Sequence, residues 1–451
     1  MFVFPMSQTP THWNAREQHN ALVAWVWRIT AFSFLSQQFI VYYLKELGAT
    51  DLTLGWAGAL PSLAMAAQFA GAVWAERTMS RRRLLLWCDG LRLLCWVPIL
   101  ATGWWAAGRT DRGEFALVVF IAATTASAAI FHLRTPSWDS WFSDAVKDEE
   151  KGTFFGKHGF WAALTGGTVV LVGGWLVDKS ALGESAALIR ALVILFALGI
   201  FCFFVQWALL FRLSDTARND TGIHQIGELV REAMSERNYL WFLAMHSWFM
   251  LVIGIYQSFQ FAWFKTELKL DLTFLGVLGA LAALTTALCS RWFGALARRF
   301  GAKALFWWAL WGQVLSPLVF FGYTPETVVW LAPLHWALAG FFGAAFVVSI
   351  QVLWYSLPQP AARTMKFAIA WVLFGLTGAL GSVLGGYVAE HAGPLRIAGL
   401  EFSRYHWLFL IGGLGVLPCF WLLKTFRETG EQPPQQLAAW IIRRWTERRI
   451  G

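Results

Sequence analysis

Apolar stretches of about twenty residues recur twelve times along the chain, near 21–43, 53–75, 84–107, 115–133, 157–178, 187–211, 239–264, 272–296, 303–322, 327–355, 365–389 and 405–425. About twenty helical residues cross a hydrocarbon core of roughly 30 Å, so the pattern predicts twelve transmembrane helices. The longest polar interruption, 214–238, follows the sixth stretch and divides the set into six plus six. We therefore expect a six-helix bundle over 1–213, an interhalf linker over 214–238, a second bundle over 239–430 and an amphipathic tail over 431–451. In the linker Ile223, Ile226, Val230 and Met234 recur at helical spacing; in the tail Leu437, Trp440, Ile441 and Trp445 do the same. Both segments read as helices lying at a membrane surface.

The halves repeat each other. The turn after the second stretch carries Glu76, Arg77, Arg81 and Arg82, and the turn after the eighth carries Arg298, Arg299 and Lys303. The fifth stretch ends Gly173, Gly174, Trp175, Leu176, Val177, Asp178; the eleventh ends Gly385, Gly386, Tyr387, Val388, Ala389, Glu390. Internal duplication of this kind is how many solute carriers build two halves around one site.

Composition agrees with an all-α membrane protein: 57% of residues are apolar and 14% charged, against roughly 25% charged in soluble domains. The net charge of +9 does not point to nucleic acid, because the basic residues gather in alternate loops. With both termini in the cytosol, Arg77, Arg81–Arg83, Lys147, Lys151, Arg298, Arg299, Lys303, Arg363 and the tail arginines lie inside, as loop charge favours. Residues 1–20 lack the layout of a cleaved signal, so a multi-pass protein of the plasma (inner) membrane is expected. The five cysteines fall within apolar stretches without ligand spacing, which predicts neither metal site nor cofactor.

Twelve spans, the duplication, the linker and the paired basic turns together resemble the major facilitator superfamily. Its signature places Gly, three residues, an acid, a base, one residue, Gly, one residue and then bases in that turn. The second copy keeps Gly294, Arg299, Gly301 and Lys303, with Arg298 where the acid belongs; the first keeps Glu76 and Arg77, with Ala72 and Met79 at the glycine positions. Lys151-Gly152-Thr153-Phe154-Phe155-Gly156 is similar to the family's entry to span five, whereas the antiporter proline is missing from that span. The resemblance implies two pseudo-symmetric six-helix bundles. It also implies charge contacts at these turns that break as the halves rock, and a cavity lined by spans one, four, seven and ten.

An ionisable side chain inside a span is costly and is a functional candidate by default. Arg28 shares a helix face with Gln38 and Tyr42 on span one, and a guanidinium there suits a carboxylate or phosphate. His246, Gln257 and Gln260 line one face of span seven, His335 lies on span ten, and Trp371 is deep enough to stack on a ring. The alternatives are snorkelling to headgroups or pairing with another helix for Arg28, interhelical hydrogen bonding for the span-seven stripe, and core packing, the default reading, for Trp371. Asp89 and Arg92, three apart on span three, read as an internal ion pair, with proton carriage by Asp89 as the second role. Glu76, Arg77, Asp139, Arg298 and Arg299 are the candidate gating residues.

No P-loop, HExxH or GxSxG motif is present. The chain thus reads as a secondary transporter, not an enzyme. Its expected partners are the lipid bilayer, a small anionic or polyhydroxylated solute and, by way of Asp89 or the histidines, a proton; a monomer is expected. The rivals are a membrane-embedded transferase and a non-transporting receptor or scaffold of the same fold.

Overall fold

The computed structural model describes residues 12–77, 80–107, 109, 113–146, 148–181, 184–215, 226–357, 363–397, 399–428, 430–440 and 443. Cα packing divides the chain into two compact units. Unit 1 holds 1–49, 60–229 and 367–375; unit 2 holds 50–59, 230–366 and 376–451.

Unit 1 contains α1 (Ala15–Phe34), α2 (Gln37–Glu46), α4 (Ala67–Arg77), α5 (Arg81–Ala106), α6 (Gly113–Ala145), α7 (Asp148–Ala181) and α8 (Ser185–Leu210). α3 (Asp51–Leu63) starts in unit 2 and ends in unit 1. α5 packs along α6, and α1 lies against α7 and α8. Asn14 opens α1 with a capping box: its side chain accepts from Glu17 N–H while the Glu17 carboxylate accepts from Asn14 N–H.

Unit 2 contains α10 (Arg237–Thr266), α11 (Leu272–Phe300), α12 (Ala302–Val319), α13 (Val328–Ser356), most of α14 (Arg363–His391), α15 (Tyr405–Leu414) and α16 (Leu417–Leu422). α13 packs on α11 and α12. The linker holds the short helix α9 (Ile226–Ala233), and 434–440 of the tail are helical. An antiparallel hairpin of β1 (Leu395–Ile397) and β2 (Leu400–Phe402) precedes α15, which the apolar pattern does not anticipate.

Among the described residues ten helices are long and apolar enough to cross a membrane, where the sequence predicts twelve spans. The difference lies in the first two, each of which is interrupted. Span one breaks at Leu35–Ser36: Ser36 is extended (φ −68°, ψ 155°) and makes no side-chain cap to α2. Span two carries Pro61 and then a 3₁₀ turn, Ala64–Ala66; proline supplies no N–H and crowds the preceding turn. With the interrupted pairs counted as spans, the helices fit the expected all-α, two-bundle membrane fold.

Unit 2 uses glycine for close approach. A Cβ on Gly381 would lie 2.1 Å from Leu251 O, and one on Gly55 would lie 2.7 Å from Ser382 O. The two glycine pairs of the repeat differ here: Gly385 abuts the backbone of α10 at Ile255, whereas Gly173 meets only the side chains of Phe39 and Leu195.

Candidate functional site

Four buried charges meet in unit 1. α1 supplies Arg28, α5 supplies Asp89 and Arg92, and α6 supplies Arg134, the last wholly buried at 0% exposure. The i,i+3 spacing brings Arg92 Nη1 to 3.5 Å from Asp89 Oδ1. The nearer partner comes from another helix, with Arg134 Nε 2.8 Å from the same oxygen. Gln206 of α8 donates to Asp89 Oδ2 at 3.5 Å.

Aromatic rings enclose the cluster. The Phe131 ring centre lies 5.3, 4.7 and 4.9 Å from the guanidinium carbons of Arg28, Arg92 and Arg134, and Trp138 lies 4.6 Å from that of Arg28. Ring faces attract cations, and desolvated contacts of this kind are worth up to about 2 kcal/mol. Among the described residues, Arg134 Nη1 and Nη2 and Arg92 Nε have no hydrogen-bond acceptor. Two guanidiniums thus share one carboxylate.

Among the other expected site residues of unit 1, Gln38 and Tyr42 are buried just beyond the break in span one. Trp371 falls in the 367–375 stretch of α14 assigned to this unit and packs by its ring edge on Phe374. Gln68 pairs with His132 at 3.0 Å, a contact that joins α4 to α6.

In unit 2, His246 is buried and stacks between Phe242 and Phe249 at 6.1 and 5.9 Å. His335 has both ring nitrogens engaged: Ser316 Oγ lies 2.8 Å from Nε2 and the Tyr323 hydroxyl 2.7 Å from Nδ1. This arrangement ties α12 to α13. Gln257 is exposed and Gln260 half-buried on α10.

The gating candidates separate likewise. Arg298 and Arg299 are exposed at the end of α11, and the Arg299 guanidinium lies 5.0 Å from the Trp440 ring of the tail. The side chains of Glu76, Arg77 and Asp139 lie outside the described residues.

A second charged cluster, absent from the sequence reading, lies in unit 2. Asp51 at the start of α3 accepts from Arg404 Nη2 at 2.9 Å and from the Tyr405 hydroxyl at 2.9 and 3.0 Å. Glu390, the acid that closes the second glycine-pair repeat, accepts from the backbone N–H groups of Asp51 and Leu52 at 2.9 and 3.3 Å. A carboxylate at a helix start satisfies donors that the helix leaves unpaired. The signal that could have found this cluster is that repeated acid, together with an aspartate just ahead of a span.

The model of the Major Facilitator Superfamily matches residues 26–266 and again 258–448. No curated protein matches in sequence. Among solved structures the chain is similar to a D-xylose-proton symporter at 14% identity, covering 92% of this chain and 98% of that one, with a TM-score of 0.67. A bacterial homolog of the human lysosomal transporter Spinster, inward-facing and unoccupied, is 16% identical over 92% and 98% of the two chains, with a TM-score of 0.65. The nucleoside transporter NupG is 15% identical over 91% and 99%, with a TM-score of 0.61.

Proposed function

The chain belongs to the major facilitator superfamily and is a membrane transporter of the kind that moves small solutes, not an enzyme; within that class we propose secondary active transport of a small organic solute by alternating access. An anionic or polyhydroxylated solute is favoured over a bulky cation. The observation that carries this reading is Arg28, a buried guanidinium on the interrupted first span, followed across the break by buried Gln38 and Tyr42. Interrupted spans expose backbone donors and acceptors at membrane depth, which is where carriers of this kind bind polar solutes. The guanidinium supplies charge and a planar fork of donors for a carboxylate or phosphate, and the amide and phenol add hydrogen bonds of the sort that hydroxyl groups require. His246, Gln257, Gln260, His335 and Trp371 are the further binding candidates.

Proton coupling would fall to Asp89. Protonation would remove the negative partner of Arg92 and Arg134 and raise the positive charge of the cluster, linking proton and anion entry. Glu76, Arg77, Asp139, Arg298 and Arg299 would act as a charge network on one membrane face, with both termini cytosolic and the protein a monomer in the inner membrane. Two arrangements of such a network bias a rocking equilibrium.

Uptake into proteoliposomes tests the reading, with a pentose, a nucleoside, a dicarboxylate and a sugar phosphate offered in turn. Saturable uptake of one class, reduced at least tenfold by Arg28→Ala, is the expected outcome. Wild-type rate and affinity in that variant would remove the anion site, and uptake of none of these classes would favour a receptor or scaffold.

A further inference from the structure

The geometry points to a binding site for one halide-sized anion, chloride foremost, in unit 1 beside Arg92 and Gln206. Three observations carry it. The first is charge: Arg92 and Arg134, 8% and 0% exposed, share the carboxylate of Asp89, which leaves that trio, Arg28 apart, with one positive charge over. The second is a donor: among the described residues, Arg92 Nε lacks an acceptor, and Arg92 is the cationic residue of the cavity lining. The third is space: Asp89, Arg92, Leu93, Trp96, Phe203 and Gln206 line a cavity of about 10 Å³, the room of a single water-sized sphere.

Size excludes an organic anion from this cavity in the present arrangement, so the choice lies between water and a monatomic ion. Water would accept from Arg92 Nε and leave the surplus charge standing. A buried charge without a partner is among the costliest things a fold can hold. One monovalent anion cancels that charge and accepts from the donor in the same step. Gln206 lines the cavity and donates to Asp89 Oδ2, which helps to hold that oxygen back from the ion. The carboxylate of Asp89 opposes the ion, but two guanidiniums hold that carboxylate on Oδ1. The apolar side chains of Leu93, Trp96 and Phe203 offer an ion no hydrogen bonds and favour a weakly hydrated halide over fluoride.

Occupancy of the cavity can be read without any transported solute. Thermal unfolding of the detergent-purified protein is followed while sodium gluconate is replaced by sodium chloride at fixed ionic strength and pH. The expected result is a saturating rise in Tm with chloride, reproduced by bromide and weaker with fluoride. Arg92→Gln should abolish the rise. Because that variant can fail to fold, Gln206→Met provides a second arm: it keeps both arginines, fills the cavity and should also abolish the rise. Crystals grown in bromide should show an anomalous peak within hydrogen-bonding distance of Arg92 Nε. Identical melting curves in chloride and gluconate, an undiminished rise in folded Gln206→Met, or no bromide peak in the cavity would each overturn the proposal and assign the space to water.

Discussion

Asp51 in unit 2 and Asp89 in unit 1 are both buried carboxylates paired with arginine, yet their surroundings are opposites. Around Asp51 the donors meet acceptors: Arg404 and the Tyr405 hydroxyl reach the carboxylate, and Glu390 takes the two backbone N–H groups beside it. Around Asp89 donors outnumber acceptors among the described residues, since Arg134 keeps two unaccepted nitrogens and Arg92 one. Arg404 also differs in reaching solvent, with 41% of its side chain exposed against 1% for Arg134. A closed set of this sort suits a fastening, here holding the first turns of α3 within unit 2. An open one suits a place where a charge from outside the chain belongs.

Asp89→Ala breaks that comparison hardest. It leaves two buried guanidiniums without their carboxylate, and removing one member of a buried pair costs about 3–5 kcal/mol. The loss should show as a large drop in the denaturation midpoint, with part of it recovered in chloride and none in gluconate. Arg404→Ala should cost less, about 1–3 kcal/mol, because Asp51 keeps the Tyr405 hydroxyl and water can enter where Arg404 stood. Tyr405→Phe deletes a hydrogen bond to a charged carboxylate while Arg404 stays in place, and should cost about 1.5 kcal/mol, the low end for such bonds. Equal losses for Asp89→Ala and Arg404→Ala in the same assay would show that the two clusters do the same work.

The two clusters also differ in how far the sequence exposes them. Span positions follow from the length of apolar runs alone, and Pro61 marks the interruption of span two. The break at Leu35–Ser36 carries no proline or glycine, only the polar run Ser36-Gln37-Gln38, so periodicity carries span one straight through it. The Asp89–Arg92 pair is legible because its spacing is local. The shorter contact with Arg134 is not, since it depends on how α5 and α6 are rotated against each other. The Asp51 cluster joins residues more than three hundred positions apart, and its members sit at span ends, where a charge is ordinary. His335 illustrates the converse. Its place on an apolar helix marks it as unusual, but the Ser316 and Tyr323 groups that satisfy both nitrogens come from α12 and the turn after it, beyond any spacing rule.

The smallest expected effect lies at the second basic turn, where the tail covers the end of α11. Gly301 adopts φ +87°, and the Glu428 carboxylate caps α12 through Ala302 and Lys303 N–H at 2.9 and 2.8 Å. Lys303 Nζ reaches Glu431 at 2.8 Å. Burial works to raise the Glu431 carboxyl, but the Lys303 hydrogen bond, the Glu428 N–H and the charges of Lys303 and Arg427 outweigh it and hold the group below its ordinary value of 4.5. A carboxyl whose folded value is depressed adds stability above its unfolded value and loses it as pH falls through the folded one. The contribution should therefore be complete at neutral pH and fade below about pH 4.5. Glu431 is 37% exposed, so solvent screening holds it to about 0–1 kcal/mol. Glu431→Gln should lower the denaturation midpoint slightly at pH 7, with the difference shrinking as pH falls below about 4.5. A loss as large as that of Arg404→Ala would mean that the turn fastens unit 2 as firmly as the Asp51 cluster does, and would place it with that cluster among the closed ones.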